Sequence, residues 1–306
     1  MHALDRFAFS DKPADEYLPF VGHIADDTVL LDDGSHLATL RIDGRPMSLM
    51  DDQARYAERR RRHAMLRALA DTNVSVYEHH VCHDRVGPFR TGRFRSAYAR
   101  ALAEDYHAGL DGGLRAREWF LSILVRPPVL AGAFNRLMGK PPKGDGSLIR
   151  RLDEKAASVL AMLREYHPVR LGIRWSGGAP FSEIGEAMRL VLYGKWHPVP
   201  LTTGPLAGAI YTDRVICGMR GFEVASPGGS SFGLLFGLRD YPEITKPTIL
   251  DGLLTAKTRL VMTNSFHYRS AAAASDRMAL QQRRMMNAGD RAVSLTEGLD
   301  EAIDDL

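Results

Sequence analysis

The 306-residue sequence predicts an α+β fold with mixed, largely antiparallel sheets, packed helices, two subdomains and a long C-terminal helix. Short β-rich runs alternate with helix-forming stretches, and tight polar or glycine-containing turns between several runs favour hairpins. Three prolines and two glycines at residues 197–208 mark a boundary. We therefore predict an N-terminal α+β subdomain at residues 1–200 and a β-rich second subdomain at residues 201–306.

Periodicity and capping residues predict the elements of the first subdomain. Two β-rich runs flank Asp32–Ser35 and predict a hairpin over residues 28–44. A helix is predicted after Asp51 and Asp52, because acids at its start and bases toward its end complement the helix dipole. Further strands are predicted at residues 74–82, 119–125 and 169–175, and further helices at residues 94–108, 148–166 and 182–194.

The second subdomain is predicted to be β-rich until a terminal helix begins near Ser270. The runs RVIC, GFEVA, SFGLLFGL and RLVMTNSFHY predict short strands. After Ser270 no proline occurs, and apolar residues recur every three, four or seven positions, which predicts one long helix or two separated near Gly289. From Glu297 onward the chain holds five acids and no base, and no capping glycine follows Ile303. We therefore expect this helix to be cut rather than finished, with fraying last turns.

Composition and charge exclude several classes of protein. Apolar residues make up 45% and charged residues 25%, which excludes wholesale disorder. The net charge of +3 is too small to mark a dedicated nucleic-acid-binding protein, despite a pI near 8.9. Two cysteines are too few for a disulfide framework, and no segment has the pattern of a signal peptide or the ~18 uncharged apolar residues of a membrane span. We expect a reducing compartment and membrane association only through a partner.

Four candidate metal ligands occur within five residues, at His79, His80, Cys82 and His83. On a strand, His79 and His83 face one way and His80 and Cys82 the other, so all four cannot converge on one ion. No second ligand pair with metal-site spacing completes a tetrahedral set. Ordinary strand positions are favoured, and a metal-dependent enzyme using this cluster stays as an alternative that stoichiometric zinc would support.

An arginine-rich stretch on the first predicted helix is the candidate surface for a partner or a phosphate. Consecutive arginines on a helix point in different directions, so only part of the run can meet one surface. A solvated or partner-facing helix is favoured over a DNA-binding module, whose affinity would fall steeply with salt. The candidate contact residues are Arg55, Arg59, Arg60, Arg61, Arg62 and Arg67.

No nucleotide-binding or nucleophile motif is present in the sequence. Gly139-Lys140 is followed by Pro141, and Gly194-Lys195 by Trp196, so neither matches the phosphate-binding pattern G-x-x-x-x-G-K-[ST]. The dinucleotide pattern G-x-G-x-x-G and the nucleophile elbow G-x-S-x-G are also absent. We therefore assign no catalytic, cofactor-binding or metal-binding residue.

An ordered series of longer motifs resembles a known family. The N-terminal motifs are EYLPFVGHIADDTVLLDDGSHLATLRIDG, NVSVYEHHVCHD and FSEIGEAMRLVLYGKWHPVP. The later motifs are IYTDRVICGMRGFEV, LRDYPEITKPTILDGLL, VMTNSFHY and NAGDRAVS. From about Glu16 to Leu306, the chain resembles the N-terminal region of the large ATPase of type IV secretion systems, the VirB-type, TrbE and CagE family.

The resemblance implies a docking and assembly role. In the family this region lies at the cytoplasmic face of the inner membrane, contacts small membrane subunits of the channel and helps arrange motor domains into a hexamer. ATP hydrolysis by the family supports machine assembly and transfer of DNA or protein. The motor domain with its Mg-ATP site lies C-terminal to this region, so we expect the terminal helix to lead toward it. We expect the partner surfaces on the first hairpin and the arginine-rich helix.

The absence of the phosphate-binding pattern leads to a prediction about ATP. Because no loop presents backbone N–H groups to phosphates ahead of a lysine, this chain alone is expected neither to bind nor to hydrolyse ATP. Calorimetric titration with Mg-ATP should give no heat beyond that of dilution. Binding in the micromolar range would contradict the prediction and reveal a nucleotide site that these motifs miss.

Overall fold

The protein is described from a computed structural model. The structure describes residues 17–44, 50–84, 92–110, 115–128, 142–219, 221–237, 251–254 and 258–287. Within these ranges the strands are β1 (Phe20–Ala25), β2 (Thr28–Leu31), β3 (His36–Ile42), β4 (Val74–Asp84), β5 (Arg115–Val125), β6 (Pro168–Arg170), β7 (Ile173–Ser176), β8 (Ala179–Ser182), β9 (Arg214–Cys217), β10 (Phe222–Ser226), β11 (Gly229–Gly233) and β12 (Leu260–His267). The α-helices are α1 (Asp52–Ala68), α2 (Ala97–Leu110), α3 (Gly146–Met162), α4 (Glu183–Tyr193), α5 (Leu206–Ile210), α6 (Asp251–Leu254) and α7 (Ala271–Asn287).

The largest sheet has seven strands in the order β1-β2-β3-β5-β4-β12, with β6 beside the C-terminal half of β3. At its centre β4 pairs with β5 along eleven residues, from Val74↔Val125 to Asp84↔Arg115. Two smaller sheets consist of β9, β10 and β11 and of β7 and β8. Every strand pair in the described ranges is antiparallel, which confirms the predicted α+β fold.

Both faces of the large sheet are covered by helices, because side chains alternate between the two faces of each strand. Helices α1 and α3 cover one face, and α4 and α5 cover the other. The core on the first face includes Leu40, Leu69, Val76, Ile123 and Leu152. The core on the second face includes Leu37, Phe120, Leu124, Leu190 and Ile210. The central strands are therefore buried on both sides.

The first predicted hairpin is confirmed as β2 and β3. Its turn is stabilised by Asp33, whose carboxylate accepts a hydrogen bond from the Ser35 backbone N–H at 2.8 Å. Gly34 has φ +82°, a left-handed conformation that favours glycine. Helix α4 also begins and ends as predicted: the Ser182 hydroxyl accepts from Gly185 N–H at 2.9 Å, and Gly194 ends the helix with φ +67°.

The single strand predicted at residues 169–175 is wrong, because two strands in different sheets occupy this stretch. Strand β6 joins the large sheet, whereas β7 forms a hairpin with β8. Leu171 enters the core between them, and Gly172 follows where a Cβ would lie only 3.0 Å from the Asp26 carbonyl oxygen. The close approach of another backbone segment thus redirects the chain, which alternation of residue types does not reveal.

The C-terminal elements complete the large sheet. Strand β12 pairs with β4, so a strand from beyond residue 200 adds to a sheet built from the first subdomain. The boundary between residues 200 and 201 stays a prediction. Helix α7 is described as far as Asn287, so its predicted continuation and the predicted fraying of about residues 297–306 lie outside the described residues. In the part of the chain that the structure describes, no helix is both long and apolar enough to cross a membrane.

The packing of α3 yields a prediction about stability. Leu152 is fully buried between α3 and the sheet, so Leu152→Ala should lower the free energy of unfolding by about 2–5 kcal/mol through lost burial and a residual cavity. Leu102→Ala is the matched control, since Leu102 is 57% exposed on α2 and should change stability by less than about 0.5 kcal/mol. Urea unfolding measures both. Equal midpoints for the two variants would contradict the described packing of α3.

Candidate functional site

Helix α1 carries the arginine run and lies against the sheet through one side. Met65 is buried, as is Leu69 just beyond the helix, so these residues define its inner side. Successive residues are rotated by about 100° around an α-helix, which places Arg61 and Arg62 on either flank of that inner side. Arg60 lies on the outer side. The arginines of the run are therefore divided between the flanks and the outer side of the helix.

Arg62 is held by a buried carboxylate. Glu78 lies on β4 with 2% of its surface exposed, and its carboxylate pairs with the Arg62 guanidinium. His80 Nε2 lies 3.2 Å from the same carboxylate, and the Asn264 side-chain amide of β12 donates to it at 3.3 Å. Burial raises the pKa of Glu78, but the hydrogen bond from His80 and the charge of Arg62 outweigh it and hold the pKa below its usual value. The carboxylate is thus charged and fully engaged.

Arg61 is held by a second set of acids on the other flank of α1. Its guanidinium donates to Glu58 at 3.0 Å and lies 3.3 Å from the Glu165 carboxylate. The Tyr166 hydroxyl donates to Glu58 at 2.6 Å. Glu165 and Tyr166 belong to a short 3₁₀ helix that follows α3. Together these contacts and those of Glu78 fix the rotation of α1 on the sheet.

The remaining arginines of the run point to solvent. Arg59, Arg60 and Arg67 are exposed, and no ion pair of the described residues engages them. Arg60 and Arg67 are seven residues apart and therefore lie on the same side of the helix, opposite the buried side. Arg55 is also exposed and lies 3.6 Å from the Asp52 carboxylate at the start of α1. We call Arg59, Arg60 and Arg67 the outer arginine surface; its chemistry suits an anionic partner.

The first hairpin offers far less surface than expected. Strand β2 is buried throughout, and β3 is buried except at Arg41. Both strands lie inside the sheet between β1 and β5, which leaves the turn at Asp32 as the exposed part. Of the two surfaces predicted for partners, only α1 therefore presents an extended exposed side.

The histidine and cysteine cluster divides between the two faces of β4, as strand alternation predicts. His79 Nδ1 lies 2.9 Å from the Thr263 hydroxyl on the face of α4 and α5. On the opposite face the His80 ring stacks on Trp119, with ring centroids 5.4 Å apart. Cys82 is buried. No group of three or more metal-ligating side chains comes together among the residues that the structure describes.

Sequence reasoning missed most of the polar residues that hold α1. Glu78 lies on the same face of β4 as the buried residues Val74 and Val76. An acidic residue at a position where the alternation predicts burial is the one feature of the sequence that indicates a buried charge. No local pattern in the sequence indicates that Glu78 pairs with Arg62 on α1. Its other partner, Asn264, is 186 residues away. Long-range pairs of this kind follow from topology and have no local pattern.

Two family models match this chain. Residues 27–132 match the N-terminal domain of the type IV secretion system ATPase VirB4/TrbE. Residues 169–306 match the CagE, TrbE, VirB family, described as a component of the type IV transporter system. These matches define the class of protein as a component of a type IV transporter. The chain belongs to the CagE, TrbE and VirB family, which confirms the resemblance found in its motifs.

Relatives named virB4 match nearly the whole chain. Protein virB4 of Rhizobium radiobacter is 38% identical over 302 residues, which is 97% of this chain. The type IV secretion system proteins virB4 of Bartonella henselae and Brucella abortus are 32% and 25% identical, each over 95% of this chain. The chain spans 38% of the length of the first two relatives and 36% of the third.

The burial of His79 yields a prediction about pH. Burial lowers the pKa of His79 to about 4, with the charge of Glu78 opposing the shift and that of His80 adding to it. The unfolded chain, with an ordinary pKa near 6.5, binds more protons than the folded chain between about pH 6.5 and pH 4. Stability should therefore be retained above about pH 6.5 and fall toward pH 4, with His79 contributing roughly 2–4 kcal/mol.

His79→Gln should remove this part of the pH dependence, because glutamine does not titrate. His63→Gln is the matched control, since His63 is exposed on α1 and should leave the dependence unchanged. Burial also lowers the pKa of His23 and His36, so a residual slope of the same sign is expected. Urea midpoints measured between pH 7.5 and pH 4.5 report the slopes, and an unchanged slope in His79→Gln would contradict the assignment.

Proposed function

We propose that this chain is the docking and assembly module of a VirB4-type secretion ATPase. In this proposal it contacts small inner-membrane subunits of the channel at the cytoplasmic side of the membrane and supports assembly of the full-length ATPase into a hexamer. ATP hydrolysis then supports machine assembly and transfer of DNA or protein substrates. The family membership, with relatives named virB4 matched over at least 95% of the chain, carries this proposal.

In this proposal ATP binding and protein contacts belong to different parts of the full-length protein. The chain spans about two fifths of their length and contains no glycine loop with the phosphate-binding pattern. We therefore propose that Mg-ATP is bound in the remaining part of the full-length protein and that this chain supplies protein contacts. Its large sheet, packed on both faces, provides a rigid base for such contacts.

The outer arginine surface is the proposed contact for an acidic segment of a partner subunit. Arg61 and Arg62 are paired with carboxylates of the same chain, so α1 is fixed in rotation. The three exposed arginines are thereby presented on a firmly attached helix, which lowers the entropy that binding must overcome. Arginine also pairs with carboxylates in a bidentate geometry, which favours an acidic protein segment as the ligand.

This proposal is tested by reversing the outer charges. The triple variant Arg59→Glu, Arg60→Glu and Arg67→Glu should weaken binding to the small inner-membrane subunits roughly tenfold or more, because each attraction becomes a repulsion. Biolayer interferometry with detergent-solubilised subunits measures the dissociation constants. The matched control reverses Arg93, Arg95 and Arg100, which are exposed around the start of α2, and should bind as the unaltered chain does.

Equal binding by both triple variants would contradict the role of α1. A DNA-binding module stays the alternative for the same arginines. It predicts binding of double-stranded DNA near physiological salt that weakens steeply as salt rises and is lost in the α1 variant.

A further inference from the structure

A hydroxyl, a guanidinium and an imidazole come together at one end of the large sheet, on the face opposite to α1 and α3. Ser75 and His267 are directly opposed in the pairing of β4 with β12. Arg126 follows β5, and its backbone N–H donates to the Asn73 carbonyl oxygen at 2.8 Å. The hydroxyl of Ser75 lies 2.7 Å from Arg126 Nη1 and 2.8 Å from His267 Nδ1. One buried hydroxyl therefore holds the two larger side chains next to each other.

The charge of Arg126 has no counter-charge in the part of the chain that the structure describes. Arg126 is half-buried, and its side chain donates to the neutral hydroxyl of Ser75. Arg61, Arg151 and Arg170 are also half-buried, and each of them pairs with a carboxylate. A partly buried charge without a partner is unfavourable, because it has lost part of its hydration. An external anion would supply the missing negative charge.

The contacts of Ser75 determine which nitrogen of His267 carries the proton in the neutral ring. A guanidinium can only donate, so the Ser75 oxygen accepts from Arg126. Ser75 is fully buried, and of these two partners only His267 Nδ1 can accept the hydroxyl hydrogen. The neutral imidazole is therefore protonated at Nε2, whose N–H points away from Ser75. The charged ring also carries a proton there, so Nε2 is a donor in both states.

This end of the sheet is open to solvent. His267 is exposed, and its ring meets the Tyr77 ring edge-on, with centroids 5.8 Å apart. Thr263 and Ser265, on the same face of β12, are exposed and uncharged. Arg269, two residues beyond His267, is exposed, and no ion pair of the described residues engages it. Hydrogen-bond donors and positive charge are therefore accessible to a ligand from solvent.

We propose that Arg126 and His267 bind a phosphate group, with Ser75 positioning both side chains. The guanidinium has further N–H groups beyond the one that Ser75 accepts, and His267 adds the Nε2–H. A phosphate group offers several acceptor oxygens and up to two negative charges, which suits donors on two side chains better than a single carboxylate does. The site does not depend on the proposed docking role, because α1 lies on the other face of the sheet.

Inorganic phosphate tests the site when it is titrated into the 306-residue chain at fixed pH and ionic strength. The backbone amide signals of Ser75, Arg126 and His267 in heteronuclear NMR spectra should shift together and saturate, with a dissociation constant on the order of 1 mM. The amide of His63 is the internal control, since His63 is exposed on α1, the helix of the outer arginine surface. The absence of a saturable shift around Ser75, or the same saturation curve at His63, would overturn the inference.

Two substitutions of His267 test the outward donor. The side-chain N–H of glutamine reaches the position of Nε2, whereas that of asparagine corresponds to Nδ1. His267→Gln should therefore retain phosphate binding within about threefold, and His267→Asn should weaken it roughly tenfold or more. Because His267 is exposed, neither substitution disturbs the core. Equal binding by the two variants would overturn the inference.

Arg126→Met should also weaken phosphate binding roughly tenfold or more, because it removes the guanidinium and keeps most of the apolar stem. Arg60→Met is the matched control, since it removes the same charge from the outer arginine surface and should leave the affinity unchanged. Unchanged phosphate binding by Arg126→Met would overturn the inference.

Methyl phosphate and acetate test the chemistry of the anion. Methyl phosphate that binds as well as inorganic phosphate supports a phosphate ester as the ligand, and binding of inorganic phosphate alone supports the free ion. Acetate should bind roughly tenfold more weakly, because it carries a single charge and two oxygens. Acetate binding as tight as that of phosphate would overturn the assignment to a phosphate group.

Discussion

The eleven-residue pairing of β4 with β5 holds the two helical layers together. Each strand directs alternate side chains to α1 and α3 on one face and to α4 and α5 on the other. Every backbone group at the centre of the sheet must find a partner in the ladder, because no water reaches it. A break in this pair would therefore expose both cores at once.

Helix α1 shows how a charged segment is attached to such a sheet. Its apolar contact is short, and its orientation depends on two ionic contacts on opposite flanks, one with the buried carboxylate of Glu78 and one at the edge of the 3₁₀ helix. An ion pair that includes a buried carboxylate contributes little net stability, because the cost of desolvating the charge offsets the attraction, and His80 and Asn264 would still contact Glu78 without Arg62. The contact of Glu78 with Arg62 consequently determines the orientation of α1 on the sheet more than it determines the stability of that packing. The orientation of α1 in turn determines where its exposed arginines lie.

Local patterns in the sequence predict much of the fold. The turn at Asp33 and Gly34, the cap at Ser182 and the stop at Gly194 each depend on neighbours within four residues, and all three are confirmed. The alternation along β4 also places the histidine cluster on two faces. The break at Gly172 and the contact of Glu78 with Asn264 depend on segments far away in the chain. Such contacts follow from the folded topology, so the polar attachment of α1 could not be predicted although its arginines could.

The pairing of β12 with β4 also has a consequence for synthesis on the ribosome. Strand β4 ends at Asp84, whereas β12 begins at Leu260, so the two partners emerge 176 residues apart. At translation rates of about 5–20 residues per second, β12 is synthesised on the order of ten to thirty seconds after β4. During that interval a buried acid, two histidines and a regular strand edge are open to other nascent chains. The order of strands therefore leaves this edge of β4 unpaired during synthesis, whereas in the finished fold β12 pairs with it.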